Sequence, residues 1–449
     1  MRIKKITVDN FRCFKHLETE LENNLTVFVA ANGQGKTAIL EAITYLLGVI
    51  LGKLPQTQVP KLKKTDIRKE WTEDRASTVT TSEWKEVPQA AFVRITGMDD
   101  EGHQWDTTFK RDSSSKTKKD IPPAKGGKEI RPFADHIMDM VNSAESPLEL
   151  FPVFAYYDTG RAVIRKKPEW MRNFRKEFNR YDGYKDALDG HLNYKQLIEW
   201  LFALDYKQNK EMIQAQDWTH QTIEQKTIQL AIEKMLPGFK NLRTHTKPLD
   251  LMVDVEEDGN FKSCFIDSQL SDGYKIVLVL VLDIVSRILE LNSDISWATP
   301  EKLLELPGII LIDEIDLHLH PSWQQRIVGD LQRTFPNVQF IVTTHSPQVV
   351  SSVPKESVRI IENGEIIPVD MQTQGVESQD ILARVFGTDP APQNDRFAQM
   401  LDQYASMTTI NDQETEEETE LYKQLVAHFG DQYEPLKRIQ ILKAFRRRG

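Results

Sequence analysis

The chain has 449 residues, a net charge of −10, and 40% hydrophobic and 28% charged residues, a composition typical of globular proteins. The acidic balance argues against a surface that binds DNA generally, and no apolar run reaches the ~18 residues that a membrane helix needs. Cys13 and Cys264 are the only cysteines, and the N-terminus lacks an apolar signal core. We therefore expect a cytoplasmic protein without a membrane segment.

The first part of the chain predicts a strand, a glycine-containing loop and a helix. Residues 2–9 alternate as a strand does, and Leu25–Ala30 is a short apolar strand. The loop ANGQGKT follows, and apolar residues then recur at helical spacing from Ile39 to Ile50. This order of elements is the context that a phosphate-binding loop requires.

The residues of this loop have distinct expected roles. Gly33 and Gly35 let successive backbone N–H groups converge on an anion at the start of a helix. Lys36 is expected to reach the β- and γ-phosphates of ATP, and Thr37 is expected to ligate Mg²⁺. The other candidate contacts in the loop are Asn32, Gln34 and Ala38. Ala30 replaces the first glycine of the motif, which costs little if its backbone stays extended.

The middle of the chain carries elements that the sequence predicts less sharply. We expect a loop or irregular insert (52–86), a hairpin (90–111), a strand running into a turn (153–161), a mostly helical region (168–240) and a second hairpin (249–266). Trp170, Phe174 and Phe178 form a one-sided aromatic stripe at helical spacing. Packing on the core is the favoured interpretation of this stripe, ahead of base stacking.

QLSDGYK (Gln269–Lys275) precedes a long apolar helix, Ile276–Leu291. Ser271 and Gly273 lie where that helix should begin. A serine there can cap the helix, or it can present its hydroxyl and backbone N–H to an anion. Both interpretations are open from these residues alone.

Two acidic residues follow the apolar strand GIILI. Parallel strands place such residues at the carboxyl edge of the sheet, where ligands bind. Asp313 is expected to hold the Mg²⁺ shell through water, and Glu314 to orient the attacking water. After the strand VQFIVTT, His345 is placed to donate a hydrogen bond to the γ-phosphate. Residues 357–370 predict a closing hairpin, and residues 371–449 predict helices with a charged hinge at 413–420.

Taken together, these motifs resemble the ABC-type ATPases of the SMC, RecF and OLD group. NFRCF matches the first hairpin of that group, whose arginine, here Arg12, approaches the nucleotide. LSDG resembles the signature motif, and the resemblance places Ser271 and Gly273 against ATP held by a second copy. It implies an α/β ATPase head with a mixed sheet, a compact helical insert in place of a coiled coil, and a helical C-terminal region. The implied boundaries are 1–165, 166–247, 248–370 and 371–449.

Four stretches of the chain resemble the PtuA-type ATPases of Septu and retron anti-phage systems. They are AYYDTGR, LIDEIDLHLHP, FIVTTHSPQV and SQDILARVFGTD. This resemblance implies an ATP- and Mg²⁺-dependent homo-oligomer that controls an HNH nuclease of the PtuB type, with no nuclease site in this chain. AYYDTGR lies near the place of the glutamine loop, so Arg161 is a candidate contact. His318 and His320 belong to the interface region in this family. The alternatives are a RecF- or SMC-like repair ATPase that binds DNA directly and a non-hydrolysing scaffold.

Overall fold

A computed structural model describes residues 1–55, 57–73, 84–88, 90–111, 121, 123–143, 147–162, 180–192, 194–247, 249–388, 395–410 and 415–446. These residues divide into two compact units, Met1–Ser378 and Gln379–Gly449. The predicted aromatic stripe at 170–178 lies outside the described residues. In the part of the chain that is described, no helix is long and apolar enough to cross a membrane.

A six-stranded mixed sheet forms the centre of the first unit, in the order β15-β14-β3-β13-β12-β8. All neighbouring strands are parallel except the hairpin β14–β15 at one edge. The central strands are buried along their whole length, as expected of a sheet covered on both faces. The strands are β3 (Leu25–Ala30), β8 (Val153–Tyr157), β12 (Gly308–Ile312), β13 (Val338–Thr344), β14 (Val358–Glu362) and β15 (Glu365–Ile367).

In the described part of the chain, three antiparallel sheets accompany this core. The first has the order β2-β1-β6-β7, the second β11-β10-β9, and the third is the pair β4–β5. Their strands are β1 (Ile3–Phe11), β2 (Phe14–Glu20), β4 (Lys69–Glu73), β5 (Trp84–Pro88), β6 (Phe92–Asp99), β7 (Gln104–Lys110), β9 (Phe239–Thr246), β10 (Leu249–Glu257) and β11 (Asn260–Phe265).

The first unit also contains helices among its described residues. They are α1 (Lys36–Leu51), α2 (Arg131–Asn142), α3 (Tyr194–Ala215), α4 (Ile223–Met235), α5 (Ile266–Gln269), α6 (Asp272–Asn292), α7 (Pro300–Leu304), α8 (Pro321–Gln324), α9 (Ile327–Thr334) and α10 (Pro347–Ser351). Helix α1 packs between β3 and β13 on one side and β6 and β7 on the other. Trp105 of β7, fully buried, donates its Nε1–H to the carbonyl of Leu46 at 3.1 Å. Both sheets therefore fix the helix that follows the phosphate loop.

The residues described toward the C-terminal end form four further helices: α11 (Ser378–Arg384), α12 (Arg396–Ile410), α13 (Glu416–Phe429) and α14 (Glu434–Arg446). Tyr404, Leu425 and Leu436 form the buried core of the C-terminal unit. The prediction of a hinge at 413–420 is wrong from Glu416 onward, because α13 begins there. Thr415 caps α13 there by accepting the backbone N–H of Glu418. The acidic first turn is stable because negative charge is favourable at a helix N-terminus.

Two other expectations are corrected. The region 52–86, expected to be irregular, contributes β4 and the start of β5, which pair antiparallel. The segment 166–247, expected to be helical, ends in β9, which completes a three-stranded sheet with β10 and β11. The sequence did not predict these strands because they are rich in polar residues and lack the apolar alternation of a half-buried strand.

Candidate nucleotide-binding site

The predicted motifs meet at one edge of the central sheet. Strands β3, β13 and β12 run parallel, so the phosphate loop, His345 and the pair Asp313–Glu314 all follow carboxyl ends of neighbouring strands. A cleft of about 370 Å³ opens there. It is lined by Arg12, Cys13, Asn32, Gly33, Gly35, Lys36, Thr37, Ala38, Glu314 and His345.

The phosphate loop has the backbone conformation that its glycines allow. Gly33 and Gly35 adopt φ values of +78° and +99°, and α1 begins at Lys36 directly after them. A Cβ on Gly35 would lie 2.4 Å from Cys13 Sγ and 2.6 Å from Phe14 Cζ, so a larger residue does not fit. Ala30 is the buried last residue of β3 and is not among the residues with positive φ. An alanine is therefore compatible with this position, as the sequence predicts.

The Lys36 side chain is held by backbone carbonyls at the end of β3 and the start of the loop. Its Nζ donates to the carbonyl of Ala30 at 2.8 Å and to that of Ala31 at 3.4 Å. Burial lowers the pKa of Lys36, and the nearby charges of Glu314, Asp313 and Asp316 oppose that shift. A phosphate in the cleft would offer this ammonium a charged acceptor, which forms a stronger hydrogen bond than a carbonyl does.

Thr37, Asp313 and Thr343 form a connected hydrogen-bond network. Thr37 Oγ1 donates to Asp313 Oδ2 at 2.7 Å, and Thr343 Oγ1 donates to Asp313 Oδ1 at 2.5 Å. Asp313 is 1% exposed, so these hydroxyls orient its carboxylate. The pair Thr37–Asp313 offers oxygen ligands to Mg²⁺, which keeps waters and substrate phosphates in its shell. Among the described residues no cluster of three His, Cys, Asp or Glu side chains could hold a metal.

Glu314 has a left-handed backbone, with φ of +46°, and its side chain lines the cleft. Its backbone N–H donates to Thr343 Oγ1 at 2.7 Å, which holds the turn against β13. A non-glycine residue in this conformation carries a strain of about 1–2 kcal/mol. The turn directs a carboxylate into the cleft, where it can orient a water.

His345 also lines the cleft. Its backbone N–H donates to Asp316 Oδ1 at 3.3 Å. Burial, followed by the charge of Lys36, lowers the pKa of His345 below its ordinary value of 6.5. The imidazole is therefore neutral at neutral pH and keeps one N–H to donate to a phosphate.

Arg12 also lines the cleft, but two carboxylates hold it. Its NH2 forms an ion pair with Glu41 of α1, and its Nε and NH2 donate to Asp66 Oδ1 at 3.3 Å each. Asp66 is buried and also accepts the Tyr45 hydroxyl at 3.3 Å. Burial works against the charge of Arg12, but Glu41 and Asp66 outweigh it and raise the pKa of the guanidinium. Sequence reasoning did not identify either carboxylate, because neither lies in a recognisable motif.

Apart from the buried Asp313 and Arg161, three predicted site residues do not line this cleft. The Gln34 side chain accepts the backbone N–H of Asn363 at 3.1 Å, at the β14–β15 turn. Ser271 is the exposed N-cap of α6, and its hydroxyl makes no capping hydrogen bond. A Cβ on Gly273 would lie 3.3 Å from the carbonyl of His318. The signature therefore lies beside the DLHLHP turn of the same chain.

Arg161 was a candidate nucleotide contact, but the structure places it behind the carboxylate turn of the cleft. Its NH2 donates to the carbonyl of Glu314 at 2.6 Å, and its NH1 donates to the carbonyl of Asp313. It is buried and does not line the cleft. No motif indicated this contact, because an arginine after a buried strand does not reveal which carbonyls it will meet.

The phosphate loop lies between β3 and α1, and two carboxylates follow β12. A Thr–Asp hydrogen bond joins the start of α1 to these carboxylates, and together they define a nucleotide-binding site of the P-loop class. Comparison with known families agrees with this class. Residues 5–239, just over half of the chain, match the AAA domain family. The chain therefore belongs to the AAA domain family.

Known proteins similar to the chain include retron ATPases. The retron Ec83 probable ATPase of Escherichia coli is 27% identical over 98% of this chain and 86% of its own length. The retron Vc95 probable ATPase of Vibrio cholerae serotype O1 biovar El Tor is 26% identical over 80% of this chain and 73% of its own length. The Septu protein PtuA of Bacillus mycoides is 39% identical over 21% of this chain and 12% of its own length. These similarities confirm the resemblance that the motifs predict.

Proposed function

We propose that this chain is the ATP-binding and ATP-hydrolysing subunit of an anti-phage defence complex. The observation that carries the proposal is the hydrogen bond of 2.7 Å between Thr37 and Asp313, at the cleft that Lys36, Glu314 and His345 line. A phosphate-binding loop whose threonine lies beside a carboxylate is the arrangement that binds a nucleotide together with Mg²⁺. The similarity to retron and Septu proteins supports the biological setting.

Within the cleft, each side chain has one task. The loop N–H groups, the N-terminus of α1 and Lys36 bind the phosphates. Thr37 and Asp313 would hold Mg²⁺, which when bound offsets the negative charge of the phosphates. Glu314 orients and polarises the attacking water, and neutral His345 donates to the γ-phosphate. Arg12 approaches the nucleotide from the β1–β2 turn.

The signature residues belong to a second copy in this proposal. Ser271 is exposed, and its hydroxyl is free of a capping bond at the N-terminus of a 21-residue helix. Such an end binds an anion well because unpaired N–H groups and the helix dipole point outward. Two copies would thus enclose two ATP molecules, each bound by the loop of one copy and Ser271 of the other.

The test of the ATP sandwich is the variant Glu314→Gln. It should retain ATP and raise the dimeric or higher-order fraction, because the bound nucleotide is no longer hydrolysed. Native mass measurement and analysis of bound nucleotide report both properties. The double variant Lys36→Ala/Glu314→Gln is the matched control and should do neither. If Glu314→Gln binds no more nucleotide than this control and keeps the same mass, the sandwich is refuted.

The finer part of the proposal is control of an HNH nuclease of the PtuB type that degrades DNA. Purification of the tagged chain from its native host in the presence of ATP, followed by native mass measurement, tests this. A small HNH protein in fixed ratio with several ATPase copies supports the proposal. A homo-oligomer without a nuclease contradicts it, and salt-sensitive binding of DNA by that oligomer would favour a RecF-like repair ATPase. Turnover equal to that of Lys36→Ala would favour a scaffold.

A further inference from the structure

A buried arginine lies directly behind the carboxylate turn of the nucleotide cleft. Arg161 follows β8 in the turn Thr159–Ala162 and is 4% exposed. Strand β8 pairs with β12 in parallel, and Asp313 N donates to the carbonyl of Tyr157 at 2.8 Å. The turn after β8 is thereby brought beside the Asp313–Glu314 turn.

The guanidinium of Arg161 bridges these two turns. NH2 donates to the carbonyl of Glu314 at 2.6 Å, and NH1 donates to the carbonyl of Asp313 and, at 2.9 Å, to that of Asp158. The planar fork of arginine can make such paired contacts, whereas the single ammonium of lysine cannot reproduce them. Arg161 thus contacts the backbone of both residues assigned to metal and water.

Packing alone does not explain why a charged side chain is buried at position 161. Nε of Arg161 is buried without a hydrogen-bond partner among the described residues. Burial lowers the pKa of Arg161, and the charges of Asp313, Asp316 and Glu314 oppose that shift. An apolar side chain of similar size would fill the same space without desolvating a cation.

The turn that Arg161 contacts is a strained one. Glu314 has φ of +46° and is held on the β13 side by Thr343, which accepts its N–H at 2.7 Å. On the other side its carbonyl accepts Arg161 and, at 2.9 Å, the N–H of Leu317. Strained backbone persists only where the surroundings hold it from several directions. Without the fork, the Glu314 peptide can rotate and its carboxylate can leave the cleft.

We propose that Arg161 is a positioning residue that fixes the Asp313–Glu314 turn, and with it the carboxylates that hold Mg²⁺ and orient the attacking water. This inference rests on the proposed nucleotide function and adds the residue on which its metal dependence relies.

The test compares the affinity for ATP with and without Mg²⁺ in the full-length chain, by titration calorimetry, for Arg161→Met and Arg161→Lys. Both variants should keep the metal-free affinity within about twofold, since the phosphate loop is untouched. Both should lose most of the gain in affinity that Mg²⁺ gives the wild type. Their kcat should fall about 10- to 100-fold, as is usual when a residue supporting a metal ligand is removed. Circular dichroism checks that both variants are folded. If Arg161→Met does not fold, Arg161→Lys alone is sufficient for the test.

Arg287→Lys is the matched control. Arg287 is also a little-exposed arginine, and it donates to Asp283 Oδ2 at 2.9 Å and to the carbonyl of Lys185 at 3.0 Å. Its variant should lower stability but keep the Mg²⁺ effect. The inference is overturned if Arg161→Lys behaves as wild type, if both Arg161 variants keep the Mg²⁺ effect, or if Arg287→Lys loses it equally. Wild-type affinity equal to that of Lys36→Ala would instead refute the nucleotide function itself.

Discussion

The hydroxyl of Thr37 donates to the carboxylate of Asp313 at 2.7 Å, although 276 positions separate the two residues in the chain. The contact joins the start of α1 to the end of β12, so it places two oxygen ligands side by side. Asp313 cannot turn away, because Thr343 holds its other oxygen at 2.5 Å.

Replacing Thr37 tests this pair directly. Thr37→Val removes the hydroxyl at nearly constant volume, and the Mg²⁺-dependent part of the affinity for ATP should fall about tenfold, as for the loss of a hydrogen bond to a charged group. Thr37→Ser keeps the hydroxyl and should stay within about threefold of wild type by the same reasoning. Titration of ATP with and without Mg²⁺ measures both. Equal losses in the two variants would show that the hydroxyl is not responsible.

The two loop glycines should differ when each is replaced by alanine. Both have positive φ, so each variant carries a strain of about 1–2 kcal/mol. At Gly33 no atom lies within 4 Å of the added Cβ, whereas at Gly35 the Cβ meets Cys13 and the fully buried Phe14. Gly35→Ala should therefore lower the free energy of unfolding by a further ~1–3 kcal/mol. Urea denaturation measures the difference, and equal stabilities would contradict this packing.

The proposed ATP sandwich predicts complementation between two inactive variants. Lys36→Ala removes the phosphate contact of one copy, and Ser271→Arg blocks the contact from the other. A dimer with one of each keeps one intact site, so an equimolar coexpression should recover roughly a quarter of wild-type ATPase activity by random pairing. Each variant alone should be inactive. An inactive mixture of confirmed mixed dimers would argue that Ser271 does not act across an interface.

Arg12 and Glu41 should have opposite effects on ATP binding. Glu41 and Asp66 hold the Arg12 guanidinium, so removing one competing carboxylate frees the arginine for the nucleotide. Glu41→Gln should tighten ATP binding, and Arg12→Ala should weaken it, each by about two- to fivefold, as for a partly exposed ion pair. Titration calorimetry measures both. Effects of the same sign would contradict a role of Glu41 in restraining Arg12.

The lowered pKa of His345 gives a defined dependence of stability on pH. Its folded-state pKa lies below the ordinary value of 6.5, mainly because of burial, so the unfolded chain binds the proton more readily. The free energy of unfolding should then fall as the pH drops from ~6.5 through the folded-state pKa. His345→Gln, which cannot be protonated there, should lose less stability over that range. Denaturant titrations at several pH values measure this, and parallel curves would contradict the burial of the imidazole.

The candidate site was predictable from the sequence to the extent that its residues follow apolar strands. Asp313, Glu314 and His345 each come directly after a strand whose residues are all buried, and the phosphate loop follows a third such strand. Strands of uniform hydrophobicity are recognisable without a structure. The polar strands β4, β5 and β9 were not recognisable in this way. Pairing with neighbouring strands, and not a pattern in their own sequence, makes them strands.

The sequence by itself determined the class of site, since the phosphate loop and the paired carboxylates each follow an apolar strand, and ligands bind at the carboxyl ends of the strands in such a sheet. Only the tertiary structure decided how these groups are held. Glu41 and Asp66 restrain Arg12, and Arg161 supports the Asp313–Glu314 turn. Such contacts join residues up to 153 positions apart through backbone carbonyls and ordinary ion pairs. A carbonyl is present in every residue, so no local pattern identifies the one that a buried arginine will contact.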